Sequence, residues 1–359
     1  MTGGGTNLRP DAGALTRAAR SFRTTLGLSA RDKRHLAIAA LLFAAASLLP
    51  FSGSGYWLSL GVSIAMFTVL ATSWTLFSGP TNYISLATAA FFGVGMYIVA
   101  AGLDYLPYPA LIVIAAIAGA LFAMIVGLAT LRISGVYFVI FTLGLAELVR
   151  QIVAWAQNVM GASSGLYVLI TLPDQTLYWL LLMLAAVVFL VGWLIGRSRL
   201  GFALRIIGND EVVAVHVGIN TARAKVVLFV ISSTFASITG ALLAPRWSYV
   251  EPSIAFSPFL TFEVVIMALL GGVHRLWGPL LGVIPFTLLW EFISAKFPAQ
   301  TTLLLGVSFL LIVYVIPRGV VGLLEDLIGH RRGGSGSAGA GSTPGWLKAM
   351  LQWRKRGHA

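Results

Sequence analysis

Three carboxylates and one arginine interrupt runs that are otherwise apolar, and these are the places where the chain could do chemistry. Glu147 and Arg150, in "TLGLAELVRQIV", stand three residues apart and share a face if that run is helical. A charge at the centre of a bilayer costs about 2.5–3.5 kcal/mol on insertion scales, so such a pair faces protein or water rather than lipid. It reads either as a mutually neutralised pair that fixes packing or as part of a polar path. Glu263, in "FLTFEVVIMALLGG", has no local partner in the sequence, which makes it the more informative carboxylate. Glu291, in "TLLWEFISAKF", lies near the end of a run and close to Lys296, and reads as interfacial. Intramembrane carboxylates can relay protons, so a proton-coupled secondary carrier using Glu147 and Glu263 is one function class that the sequence admits.

Other chemistries are poorly supported. "GASSG" at 161–165 fits the pattern of a hydrolase nucleophile elbow, but that site needs a strand, a turn, a helix and a histidine base, and here it falls between apolar runs. The five histidines, His35, His216, His274, His330 and His358, lie in loops, tails or run ends without metalloprotease spacing. Cysteine is absent, which removes thiol nucleophiles, disulfides and Cys-based metal sites. No phosphate-cradling G-x-x-x-x-G-K-[ST] occurs, so any ATP must be bound and hydrolysed by a partner. The expectation is a non-enzymatic chain that binds no cofactor of its own.

The elements that must hold these groups follow from composition. Of 359 residues, 58% are hydrophobic and 10% charged, against roughly a quarter charged in soluble domains. A spanning helix needs about 20 apolar residues. Apolar runs recur at 36–50, Tyr56–Phe77, Ile84–Ala101, Pro109–Leu131, Val136–Trp155, Thr176–Gly196, Val226–Ala244, Phe259–Leu270, Leu276–Ser294 and Thr301–Ile316. The fold class expected is all-α, a polytopic transmembrane helical bundle of about nine or ten spans, the run from Phe259 being short enough to be re-entrant or tilted. The long polar stretch before the first run favours a retained helix over a cleaved signal peptide.

The net charge of +12 comes from the tails and one internal loop, a pattern that the positive-inside rule explains without a nucleic-acid partner. With the basic N-tail in the cytoplasm, ten crossings place Arg132, the 197–225 segment, His274, Arg275 and the C-tail inside. The expected organisation is a basic cytoplasmic tail over 1–35, a membrane domain over 36–325 and a Gly/Ser-rich basic cytoplasmic tail over 326–359. Within that last tail, "WLKAMLQWRKR" reads either as a piece lying on the anionic inner leaflet or as solvated chain.

Two segments are unusual. "NYISLATAAFFGVGMYIV" is dense in small and hydroxyl residues, Ser85, Ala87, Thr88, Ala89, Ala90, Gly93 and Gly95 among them. These permit close helix packing and could also line a path. "RSRLGFALRIIGNDEVVAVHVGINTARAK" is charge-rich yet lies between two strongly apolar runs. A short amphipathic helix there directs Phe202, Ile206 and, past a break at Gly208, Val212 and Val215 to a protein groove, with Arg205, Asp210 and Glu211 available for its rim. A plain connector would not need those apolar residues.

Four motifs together resemble one family, the permease subunits of ABC importers for branched-chain amino acids and their urea and short-chain amide relatives. They are "ISLATAAFFGVGMY", "LRISGVYFVIFTLGLAELVR", "SRLGFALRIIGNDEVVAVHVGIN" and "MALLGGVHRLWGPLLGV", in family order within about residues 56–325. The resemblance implies the longer of two paired permease subunits in a bacterial inner membrane, with both termini cytoplasmic. It also implies a second permease subunit, two cytoplasmic ABC ATPase subunits and an extracytoplasmic solute-binding protein. The loop over Ser198–Asn220 would dock on the ATPase through Arg199, Gly201, Phe202, Arg205, Ile206, Asp210, Glu211 and Gly218. The path residues would be drawn from Ser85, Thr88, Phe91, Thr142, Glu147, Arg150 and Glu263. Two positions depart from the family: Ala87-Thr88 stands where Gly-His is usual, and Val136 where Asp is common; the first, if it lines the solute path, bears on the choice of solute.

Overall fold

The computed structural model describes residues 43–52, 54–131, 133, 135–159, 165–209, 211–300 and, beyond them, 303, 304, 306, 307 and 310. The helices are α1 (Gly55–Thr81), α2 (Thr88–Gly102), α3 (Tyr108–Thr130), α4 (Val136–Val159), α5 (Asp174–Arg197), α6 (Arg199–Asn209), α7 (Glu211–His216), α8 (Thr221–Leu243), α9 (Pro252–Ala255), α10 (Pro258–Gly271) and α11 (Gly278–Lys296). Among the described residues, seven stretches are long and apolar enough to cross a membrane, α9 and α10 counting together as Pro252–Gly271. The polytopic helical bundle expected from the sequence is therefore what forms. The expected first and last spans, 36–50 and Thr301–Ile316, fall largely outside the described residues, as do both tails.

Burial sorts the helices. Helix α1 is apolar on all sides, and 83% of its most hydrophobic window is buried, so it is the central post of the bundle. In α3, α4 and α5 the corresponding share is 28–33%. Those three must present most of their surface to lipid or to other chains.

Helices α2 and α8 cross with their backbones in contact. A Cβ at Gly95 would overlap the Ser237 carbonyl, and one at Gly240 the Phe92 carbonyl. Only glycine at both places allows this approach, which replaces hydrophobic driving force with dispersion contact inside a membrane. Ser237 adds a bond, its Oγ donating to the Ala115 carbonyl of α3 at 2.8 Å.

One expectation is refined. The apolar run Ile84–Ala101 was expected to be continuous, but helix begins only at Thr88, because Asn82 takes a left-handed conformation (φ 57°) and the chain to Ala87 is non-helical. A second refinement lies at the opposite end of the bundle. Strands β1 (Leu166–Tyr167) and β2 (Tyr249–Val250) pair antiparallel, with Tyr167 and Tyr249 in ring contact at 5.0 Å. This strand end is formed by the α4–α5 and α8–α9 connections. The loop end carries α6 and α7.

Candidate functional site

The charge-rich loop folds onto the bundle rather than away from it. Ser198 starts α6, its Oγ accepting from the Gly201 amide at 3.3 Å and donating to the Ile195 carbonyl at 2.8 Å. Gly218 takes φ 85°, and Asn220 then caps α8 by accepting from the Arg223 amide at 3.0 Å. Leu204 and Ile207 are buried against the bundle, while Phe202 (66% exposed), Val213, Val215 and Val217 face outward. Ile206 is half-buried and packs on the core. Asp210 and the Val212 side chain lie outside the described residues.

Three contacts fasten this loop to the membrane helices. Gly208 lies against the end of α1, where a Cβ would come within 2.8 Å of the Pro80 carbonyl. Asn82 donates through Nδ2 to the Gly208 carbonyl at 3.1 Å. Glu211, expected at the docking rim, accepts instead from Lys225 of α8 at 2.5 Å and keeps its side chain 43% exposed. Lys225 is almost fully buried. Its Nζ also donates to the Tyr83 hydroxyl at 3.0 Å and lies 4.1 Å from the centre of that ring. A buried cation needs such partners, because charge taken from water without them costs several kcal/mol. Arg205 lines a cavity of about 560 Å³ between α1, α5 and α6, together with His274, Arg275 and Asn82.

Tyr83 belongs to the non-helical stretch, and that stretch is held by side chains from several helices. Trp74 of α1 donates through Nε1 to the Ser85 carbonyl at 2.8 Å. Thr142 of α4 accepts from the Leu86 amide at 3.0 Å, and Thr261 of α10 from the Ala89 amide at 2.9 Å. Irregular backbone at membrane depth survives only where protein satisfies its polar groups; here Trp74 of α1 and Thr142 of α4 do so, while Thr261 of α10 holds the first turn of α2. Sequence reasoning named Thr142 as a path residue, and its hydroxyl is occupied in this clamp. It missed Trp74, Thr261 and Lys225; the available signal was only that hydroxyl and basic groups in apolar runs need partners.

Ser85, Thr88 and Phe91 do come together. With Ser73, Ser232 and Ser233 they line an enclosed space of about 10 Å³, room for about one water. Phe77, Phe91 and Phe229 also line it, and with Phe138 they make ring contacts at 5.2–6.5 Å. The bundle is closed at this level.

Glu147 and Arg150 lie apart from that cluster. Arg150 grips the carboxylate with two guanidinium nitrogens, one at 2.8 Å, and Gln151 donates to it at 2.8 Å. The pair is half-exposed, in mid-helix on α4, on a face where Ile140, Phe141, Leu148 and Ile152 are exposed. Its charges neutralise one another, yet the guanidinium and carboxylate still lie open on a membrane-spanning face. Such a face is suited to a protein or water contact rather than to lipid.

Glu263 lies elsewhere again, in a cavity of about 810 Å³ toward the strand end, lined by residues of α1, α2, α8, α9, α10 and α11. Among the described residues no group of His, Asp or Glu could hold a metal. Of "GASSG", only Gly165 is described.

Residues 56–316 match the family model described as "Branched-chain amino acid transport system / permease component". The chain belongs to that family. As a permease it is similar to the high-affinity branched-chain amino acid transport system permease protein LivM of Escherichia coli K12, 23% identical over 338 residues, which cover 84% of this chain and 78% of LivM. It is also similar to LivH of Salmonella typhimurium, 28% identical over 170 residues, 47% of this chain and 54% of LivH. Among solved structures, PsaBC from Streptococcus pneumoniae aligns with 77% of this chain and 97% of its own at TM-score 0.42 and 14% identity. The matched region takes in every helix from α1 to α11, so the loop, its clamp and both cavities all lie within the permease domain.

Proposed function

We propose that this permease subunit carries a branched-chain amino acid inward across a bacterial inner membrane, with ATP hydrolysed by two ABC ATPase subunits at the loop end. The loop end is cytoplasmic in this reading, and both termini with it. A second permease subunit covers the α4 face around Glu147 and Arg150, and an extracytoplasmic binding protein delivers the solute at the strand end. The exposed apolar group Phe202, Val213, Val215 and Val217 seats in the ATPase. The departure at Ala87-Thr88 keeps urea or a short amide as the second solute class.

The observation that carries the reading is the Lys225 link. One buried cation joins Glu211 of the loop to Tyr83 of the non-helical stretch, whose continuation, Ser85 to Phe91, closes the bundle. A push on α6 and α7 therefore reaches the closure through a short chain of strong contacts. The rival, a proton-coupled carrier, would need a connected relay, whereas Glu147 is tied to Arg150 and Glu263 lies in a separate cavity. Reconstitution in liposomes separates the two: uptake requires the ATPases and ATP, and uptake by this chain alone under a proton gradient would refute the proposal.

A further inference from the structure

The strand-end cavity has the chemistry of a two-charge ligand with an apolar middle. Its walls include Phe92 and Met96 of α2, Met66 of α1 and Trp290 of α11, with one carboxylate, Glu263, and one guanidinium, Arg246. Arg246 is tethered at the mouth, Nη2 donating to Ser59 Oγ of α1 at 2.6 Å. That bond uses one of five guanidinium N–H groups, and the rest remain for a ligand. Glu263 has neither a hydrogen bond nor an ion pair among the described residues. A carboxylate withdrawn from bulk water without a cation is unfavourable, and a ligand's ammonium group would relieve it.

We propose that this cavity is a substrate chamber of the permease, in which an α-amino acid with an aliphatic side chain places its ammonium at Glu263 and its carboxylate toward Arg246. The inference rests on the importer reading and gives that reading a binding site and a ligand class. Aromatic and methionine walls suit a branched aliphatic side chain, since rings supply rigid area and thioethers adapt to its shape. The volume of about 810 Å³ falls in the range of about 300–1,000 Å³ usual for small-molecule sites, and leaves room for water around a leucine-sized solute. The loop-end cavity offers the contrast. It is lined by Arg205, His274 and Arg275 with no carboxylate, and so offers an ammonium no counter-charge. A chamber facing the strand end, bounded by α2 and α10, also changes shape whenever the clamp on the non-helical stretch gives way, because Thr261 and Glu263 share α10.

The test uses the assembled importer in nanodiscs without its binding protein, and measures binding of radiolabelled L-leucine. Glu263→Gln is expected to weaken binding by about tenfold or more, with Glu263→Asp recovering part of it. Isoamylamine, which lacks the carboxylate, is expected to compete in Arg246→Gln but not in Glu263→Gln. The amine-free 4-methylpentanoate is expected to do the reverse. Size-exclusion profiles and ATPase assembly check that each variant is folded. Leucine binding indifferent to Glu263→Gln, or urea competing as well as isoamylamine, would overturn the chamber while ATP-driven leucine uptake by the wild type kept the importer reading intact. Absence of any ATP-driven uptake in the wild type would overturn both.

Discussion

Replacing Lys225 with methionine is the sharpest probe of how the loop engages the bundle. The side chain keeps its length and apolar stem but loses the charge that serves Glu211 at 2.5 Å and Tyr83 at 3.0 Å. A hydrogen bond to a charged group contributes about 1.5–3 kcal/mol, and a cation over an aromatic ring about 0.5–2 kcal/mol. Glu211 is 43% exposed and regains water when its partner goes, so the full penalty of a stranded buried charge does not apply. The net weakening is taken as about 3 kcal/mol, roughly a hundredfold in the balance between seated and detached α7. Solute carried per ATP hydrolysed should fall by at least tenfold in proteoliposomes, with ATPase turnover retained. Amide hydrogen exchange should rise together at 82–88 and 211–216. A Glu211→Gln, Lys225→Met double variant should lose less than the sum of the two singles, since both break the same contact. Undiminished transport per ATP in a folded Lys225→Met variant would refute the argument, and so would exchange that rises only at 211–216.

Other sites give independent checks. Phe202→Glu with Val215→Glu, both on the outward face, should abolish ATPase co-purification while the chain still elutes as a folded species in detergent. Thr261→Val removes the acceptor of the Ala89 amide and should lower thermal stability by an amount equivalent to about 1–3 kcal/mol, the cost of an orphaned buried donor. Gly240→Leu, at the backbone contact with Phe92, should prevent α2 and α8 from seating and reduce the yield of folded protein sharply, whereas leucine at Gly144, where the space is open, should leave folding intact. Arg150→Met strands the Glu147 carboxylate on the α4 face and should release the second permease subunit on native gels at lower detergent than the wild type.

Hydropathy made the spans legible because a bilayer admits little else, and seven of the expected runs appear with ends displaced by a few residues. Within Ile84–Ala101 the helix starts only at Thr88, because apolar composition alone cannot distinguish helix from backbone that neighbouring side chains satisfy. The bond that holds Leu86 comes from Thr142, 56 residues away, and the one that anchors the first turn of α2 at Ala89 comes from Thr261, 172 residues away. Phe202 of α6 and Val215 of α7 are both exposed, on two short helices, the first ending at Asn209, just past the break that the sequence places at Gly208. Glu211 was harder, since nothing local pairs it with Lys225 across Gly218 and the start of α8. Lys225 itself was read only as a topological charge. Its burial depends on α8 bringing it beneath Tyr83, which no single segment encodes.

Those long-range bonds also explain why a non-helical stretch between α1 and α2 suits a transporter. A continuous helix would carry the Tyr83–Ala89 region in its own ladder, and moving it would mean breaking several backbone bonds within one element. Here the stretch is held by one hydroxyl, indole or ammonium from each of α1, α4, α8 and α10. Each contact can exchange as its parent helix shifts, and the two helices α1 and α8 that carry Trp74 and Lys225 are also those in contact with the loop, through Gly208 and Glu211. Regions that open at low free energy are those with few ladder bonds and several independent anchors. The non-helical stretch therefore lies where a displaced loop can act on it, beside the Phe77, Phe91 and Phe229 rings that pack the centre of the bundle.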